Sequence, residues 1–309
     1  MKQLNVEKEK FDQICDEWLS YKKLRIKEST YSNYSFKINR YIKKDFGGKR
    51  LQDLRNEDIN RYIERLQKKL SNKTIKDITI VLKSVLKYAE RKYDMDFKLD
   101  LISTPLATEE EVEVFNEKER RKIENYILKS NRLNEIGILI SMYSGMRIGE
   151  ICALRWRDID FENKSIKVTH TVQRIYVNKN DTKIILTSPK TKKSIREIPL
   201  AKILYENLRE LSKKYSKEAF ILTGREDRLI EPLGYRYTYR RLLRRCNIKY
   251  KKFHCLRHTF ATNCITKGMR PKTLQKLLGH NSLQMTMDLY CHVLDSTLKD
   301  EMSIIAEMV

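Results

Sequence analysis

The chain has 309 residues, with 64 Lys and Arg against 41 Asp and Glu, a formal net charge of +23 at pH 7. Apolar residues make up 40%, enough to fill a core, and charged residues 34%, above the usual ~25%. Length predicts two domains at roughly 100–200 residues each, or one large one. The cationic excess predicts a polyanionic partner, unless it reflects only a lysine-rich compositional bias. No apolar run approaches the ~20 residues of a membrane span, and the polar start, Met1-Lys2-Gln3-Leu4, is not a signal peptide. Nine Gly and five Pro exclude a collagen-like or disordered chain. Cys15, Cys152, Cys246, Cys255, Cys264 and Cys291 form no CxxC pair, which predicts reduced thiols and a cytoplasmic location.

In chain order, Phe11, Ile14, Trp18, Leu19 and Leu24 recur at near-helical spacing. A second helix is expected from Ser29 to Phe46, stopped by Gly47-Gly48 as a C-cap. A third follows Asn56, carrying Ile59, Tyr62, Ile63 and Leu66. A fourth, capped by Ser71 or Asn72, presents Ile75, Ile78, Leu82, Val85, Leu86 and Ala89 as an apolar stripe. Together they predict an N-terminal four-helix domain over 1–100, with a linker over 101–115 that includes the acidic run Glu109–Glu111. Asn116 and Glu119 have capping-box spacing and open a second domain, 116–309. Helices are expected over 117–130 and 132–144, then a short one after Gly145. Ser165–His170, Thr171–Val177, Lys183–Thr187 and Ser194–Pro199 have the β-branched alternation of short strands. From Ala201 the pattern reads as helical to the end. The fold class is therefore mainly α with a small antiparallel β-sheet.

Between Glu231 and Asp288 there is no acidic residue, yet there are thirteen Lys or Arg. The densest part carries Arg236, Arg240, Arg241, Arg244 and Arg245. Arg240/Arg244 and Arg241/Arg245 are i,i+4 pairs that repel on an isolated helix, an arrangement suited either to a phosphate backbone or to a solvated basic face. Within the same stretch His254 and Arg257 lie three apart, on one helical face. Gly268 ends that helix, Pro271 opens the next, and Gly279-His280 stops it. A short helix from Ser282 to about His292 then carries Tyr290. Cys255, His258 and Cys264 have no standard zinc-ligand spacing, and their cationic surroundings oppose a dication. Packed polar residues of a core, or a phosphoryl-transfer site, are the other two readings.

The ordered set Ser144-Gly145-Met146-Arg147-Ile148-Gly149-Glu150, His254-x-x-Arg257, Leu278-Gly279-His280 and Tyr290 resembles the phage integrase family of tyrosine recombinases. The resemblance covers 116–309, and the helices of 11–93 resemble the family's N-terminal core-binding, SAM-like DNA-binding domain. It implies an α+β catalytic domain and a catalytic set of Arg147, Lys190, His254, Arg257, His280 and Tyr290. In that reading Arg147 and Arg257 hold non-bridging phosphate oxygens through planar forks. Tyr290 is the nucleophile, His254 the base or orienter, and His280 a hydrogen-bond donor to the phosphate. Lys190, in Thr187–Ser194, protonates the leaving 5′ oxygen, with Lys192 and Lys193 as alternatives; Glu150 aligns local structure. Energy is stored in a 3′-phosphotyrosyl bond, so neither metal nor cofactor is implied. The implied partners are double-stranded DNA clamped by two domains, a homo-tetramer on paired sites, and an accessory DNA-bending or directionality factor, with no membrane. Thr297–Val309 is expected either to dock on a neighbouring protomer or to pack on its own domain, and no arm-binding segment is expected before Glu7. A type IB topoisomerase and a non-cleaving DNA-binding regulator are the rival functions.

Overall fold

The computed structural model describes residues 9–106, 113–130, 132–188 and 195–291. Two compact units are present: Met1–Glu110 with Ile175–Lys183, and Glu111–Arg174 with Ile184–Val309.

The first unit is helical. α1 (Phe11–Lys23) buries Phe11, Ile14, Cys15, Trp18 and Leu19. α2 (Glu28–Lys37) runs through a π turn (Ile38–Ile42) into α3 (Lys43–Phe46), so the expected second helix is one continuous rod with an inserted residue. It ends at Phe46 with Gly47 as its C-cap, as expected, and Gly47 is right-handed, with φ −54°. Glycine is needed there for proximity, because a Cβ would lie 2.6 Å from the Lys43 carbonyl and 3.3 Å from Asp12 Cβ. That closeness lets Asp12 N–H reach the Gly47 carbonyl at 3.1 Å. α4 (Asn56–Gln67) and α5 (Asn72–Tyr93) complete the bundle. Ser71 caps α5, accepting from Thr74 N–H at 3.4 Å.

The chain after α5 stays fastened to this unit. Phe97 and Ile102 join its core. Lys83 donates to the Ile102 carbonyl at 2.9 Å, and Asn72 to that of Leu106 at 2.8 Å. Glu109–Glu111 lies outside the described residues.

In the second unit, Asn116 and Glu119 form the expected reciprocal box, at 3.0 and 2.9 Å, at the start of α6 (Glu117–Ser130). α7 (Ile136–Ser144) begins later than the 132–144 expectation, after a 3₁₀ turn at Leu133–Glu135. It is apolar all round and buried along nearly its whole length, which makes it the central rod of the core. Gly145 ends it in the left-handed region, and α8 (Ile148–Ala153) follows.

β1 (Ile159–Asp160), β2 (Ser165–Val168) and β5 (Arg196–Pro199) form an antiparallel sheet in the order β1-β2-β5, with Ile166 opposite Ile198. β3 (Thr171–Asn178) and β4 (Asp181–Thr187) form a separate two-stranded sheet.

α9 (Lys202–Ser212) and α10 (Pro232–Arg245) cover the core. Between them the expected unbroken helix is absent: 213–231 is turns and a β-bridge. Ala219, Phe220, Ile221 and Leu222 are all buried, and Trp156 N–H bonds the Ala219 carbonyl while Ile221 N–H bonds that of Leu154. α11 (His254–Thr266) and α12 (Pro271–Leu278) follow, then a helical run over 284–291.

Candidate active site

α12 organises the site. Gly279 is left-handed, and the end closes as a Schellman motif, with Gly279 N–H to Lys276 and His280 N–H to Gln275, both 3.2 Å. Two terminal carbonyls remain, Leu277 and Leu278, and Gly279 adds a third just past the end, all at the negative end of the helix dipole. Each accepts from a different guanidinium: Leu277 from Arg196 Nε at 2.6 Å, Leu278 from Arg257 Nη2 at 2.7 Å, and Gly279 from Arg147 Nη2 at 3.2 Å.

The three arginines come from three elements. Arg147 is the N-cap of α8, and its side chain is 36% exposed. Arg257 sits one turn into α11, only 3% exposed, with Nη1 on the Gly145 carbonyl at 2.7 Å. Burial, together with Arg147 and Arg196 nearby, presses its proton affinity well down. A guanidinium keeps its proton regardless, so the tension persists as a demand for an anion. Arg196 enters from β5 and forks onto the buried Glu150 carboxylate at 3.0 and 2.9 Å. Burial raises the Glu150 pKa, but Arg196, with help from Arg147, overrides it and holds the carboxyl at about 2. Glu150 also accepts from Arg147 twice, from its backbone N–H at 2.8 Å and from Nη1 at 3.0 Å. Two guanidiniums thus bind one carboxylate, whose charge also acts on Arg257.

His254 opens α11 and is exposed, its ring edge-on to His258 with centroids 4.5 Å apart. His280 is buried, with Nδ1 2.9 Å from the Thr286 hydroxyl. Burial, then Arg257, Arg147, His254 and Arg196, lowers its pKa to about 3. Met146, Arg147, Arg236, Lys252, His254 and Arg257 line a cleft of about 470 Å³.

Arg147, His254 and Arg257 thus share one cleft, and His280 lies near enough for their charges to act on it. Tyr290 does not join them. It packs in a satellite cluster with Ala261, Ile265, Leu274 and Leu278, and its hydroxyl donates to the Met269 carbonyl. Burial, and secondarily Cys264, raises its pKa. Lys190, Lys192 and Lys193, like Thr297–Val309, lie outside the described residues.

Along α10, Tyr235, Thr238, Tyr239, Leu242 and Leu243 are buried, and the five arginines are exposed. Arg236 lines the cleft and Arg240 covers the Tyr250 ring at 5.0 Å. Arg245 turns elsewhere, to the Tyr126 hydroxyl at 3.1 Å and Glu135 at 3.4 Å. Sequence reasoning missed Arg196. Its signal was a cation at an inward register of a strand that alternates buried and exposed.

The pattern of the phage integrase family matches residues 107–297, and that of the phage integrase N-terminal SAM-like domain matches 10–67. The chain belongs to the phage integrase family. This tyrosine recombinase is 30% identical over 295 residues to a XerC-like tyrosine recombinase of Caldanaerobacter subterraneus, covering 87% of the chain and 75% of that relative. It is also 30% identical over 238 residues to the transposase from transposon Tn916 of Enterococcus faecalis, covering 69% of the chain and 55% of the relative. The Tn1549 transposon integrase, solved in complex with transposon right-end DNA, shares its fold with a TM-score of 0.78 at 24% identity, over 96% of this chain and all of that one.

Proposed function

We propose that the protein is a site-specific DNA recombinase of a mobile element. It cuts and rejoins duplex DNA through a 3′-phosphotyrosyl intermediate, with 116–309 carrying the chemistry, 1–100 gripping DNA and 101–115 linking them. The observation that carries this reading is the cleft in which Arg147 and Arg257 converge with His254, with His280 beside them in their field and one carboxylate already neutralised.

A phosphodiester moving to a five-coordinate transition state gathers charge on its non-bridging oxygens, which the two forks are built to hold. Tyr290 Oη bonds to phosphorus as the bond to the 5′ oxygen breaks. The phenolic proton passes to His254, and the 5′ oxygen takes one from Lys190. His280, with Nδ1 engaged by Thr286, offers Nε2 to the phosphate. Attack by a second 5′-hydroxyl reverses the sequence on a new partner strand. Arg236, Arg240, Arg241 and Arg244 grip flanking phosphates, with Arg245 shared with Glu135. The working assembly is a homo-tetramer on paired sites, assisted by a DNA-bending or directionality factor, in the cytoplasm where its DNA lies.

The test is recovery and sequencing of DNA trapped covalently on the protein in its host. Wild type is expected to yield one discrete sequence linked at its 3′ phosphate to the peptide containing Tyr290. Tyr290→Phe should bind the same DNA and trap none. A denaturant-resistant adduct on the Phe variant removes Tyr290 from the role. Rejoining of original strands only, with no exchange between two labelled duplexes, supports the topoisomerase instead, and binding without any adduct supports the regulator.

A further inference from the structure

Glu150 stands between two arginines that differ in access. Arg147 is partly open to the cleft; Arg196, on β5, is buried at 8% exposure and away from it. Arg196 is held on three points, two Glu150 oxygens and the Leu277 carbonyl. Its surroundings leave no slack: a Cβ on Gly279 would lie 3.1 Å from Arg196 Cδ and 3.2 Å from Nη1. A buried guanidinium needs such partners, and it is costly to keep unless they do something in return.

We propose that Arg196 is a positioning residue of the strand-transfer reaction: by clamping Glu150 and the end of α12 together, it sets where Arg147 presents its guanidinium to the scissile phosphate. The inference rests on the function proposed above.

The chain of contacts runs Arg196 to Glu150 to Arg147, and Arg196 to Leu277, next to the carbonyls that hold Arg257 and Arg147. Two jobs are joined. Electrostatically, Arg196 keeps Glu150 ionised despite burial, so that both carboxylate oxygens can accept from Arg147. Geometrically, its planar fork fixes the carboxylate plane, as a lysine's single ammonium cannot. The charged groups facing Glu150 are Arg147 from α8, Arg196 from β5 and Arg257 from α11.

The experiment uses the full chain and a nicked duplex bearing the sequence recovered from the wild-type adduct. Single-turnover cleavage is followed from pH 5 to 8 for wild type, Arg196→Met, Arg196→Lys and Arg196→Met/Glu150→Gln. In Arg196→Met, cleavage at pH 8 should fall at least ~10-fold, with duplex affinity within about twofold of wild type, because the loss is in transition-state contacts. The ratio of variant to wild-type rate should fall at least about threefold further toward pH 5, as the buried Glu150, short of one cation, takes up a proton. The Glu150→Gln double variant should stay slow and lose that acid limb. Arg196→Lys should abolish the limb yet remain slower than wild type. A wild-type rate in Arg196→Met overturns the proposal. So does a slow variant whose pH profile parallels wild type, or a limb that survives Glu150→Gln. If the Met variant does not fold, Arg196→Lys decides: a wild-type rate there overturns the positioning role. Absence of any adduct with wild-type protein overturns the function itself, a result distinct from all of these.

Discussion

His280 carries a proton equilibrium that its surroundings have displaced far from the ordinary imidazole value of 6.5, down to about 3. Burial is the first cause, and the guanidiniums of Arg257, Arg147 and Arg196, with His254, add to it. The folded protein therefore refuses a proton that the unfolded chain accepts. Stability from this residue is complete above pH 6.5 and drains away as pH falls from there toward 3, at up to about 1.4 kcal/mol per pH unit for one proton. Glu150 behaves in the same direction in a lower window. Its folded value of about 2 lies below the ordinary 4.5, so its share is lost as pH falls through that interval. Melting of the DNA-free protein between pH 7 and 5 separates the two. Wild type should lose thermal stability across that range, and His280→Gln should show a flatter slope. Equal slopes in the two proteins would mean that His280 is not the group titrating.

At the scale of elements, two left-handed glycines hold the site's backbone, Gly145 after α7 and Gly279 after α12. Gly145 has the tighter surroundings, since a Cβ there would lie 2.6 Å from Phe260 Cδ1 and 2.7 Å from Leu278 Cδ2. Gly145→Ala should lower stability by at least about 2 kcal/mol, from left-handed strain and overpacking together. It should also slow cleavage, because Arg257 hangs on the Gly145 carbonyl. Denaturant midpoints and single-turnover rates check both effects, and a stable, slow variant would separate the site from the fold.

Much of this element level was legible in the chain itself. The Asn116–Glu119 box, Pro271 at the start of α12 and the Gly279 stop are local signals, and they read correctly. The π turn at Ile38–Ile42 left no mark in the apolar spacing, and 213–231 was lost because its pairing partner is the distant Leu154–Trp156. Within the site, His254-x-x-Arg257 and Leu278-Gly279-His280 were readable as motifs, while the Arg196–Glu150 fork, 46 residues apart in sequence, and the Tyr290–Met269 bond are products of tertiary packing.

For the whole molecule, a net charge of +23 makes association with DNA a counterion-release process. The logarithm of affinity should fall steeply with the logarithm of salt, each phosphate contact adding about −0.9 to the slope. Arg240→Ala with Arg244→Ala should flatten that slope by about 1.8 while leaving site preference intact, because phosphate contacts position without reading sequence. Titrations of specific and scrambled duplexes at four or five salt concentrations measure both quantities. A slope unchanged by the double substitution would move the DNA to another face.

The acceptor that keeps the Tyr290 hydroxyl is a main-chain oxygen in the turn between α11 and α12. Every residue type offers that oxygen, so drift at position 269 leaves the resting place of the tyrosine in being. What inheritance can adjust is the shape of the turn. Gly268, with φ +74°, has open space where a side chain would go, and Pro271 closes the turn on the other side. Under the nucleophile role proposed for Tyr290, the shape of this turn, rather than the identity of residue 269, would set how readily the tyrosine leaves the carbonyl.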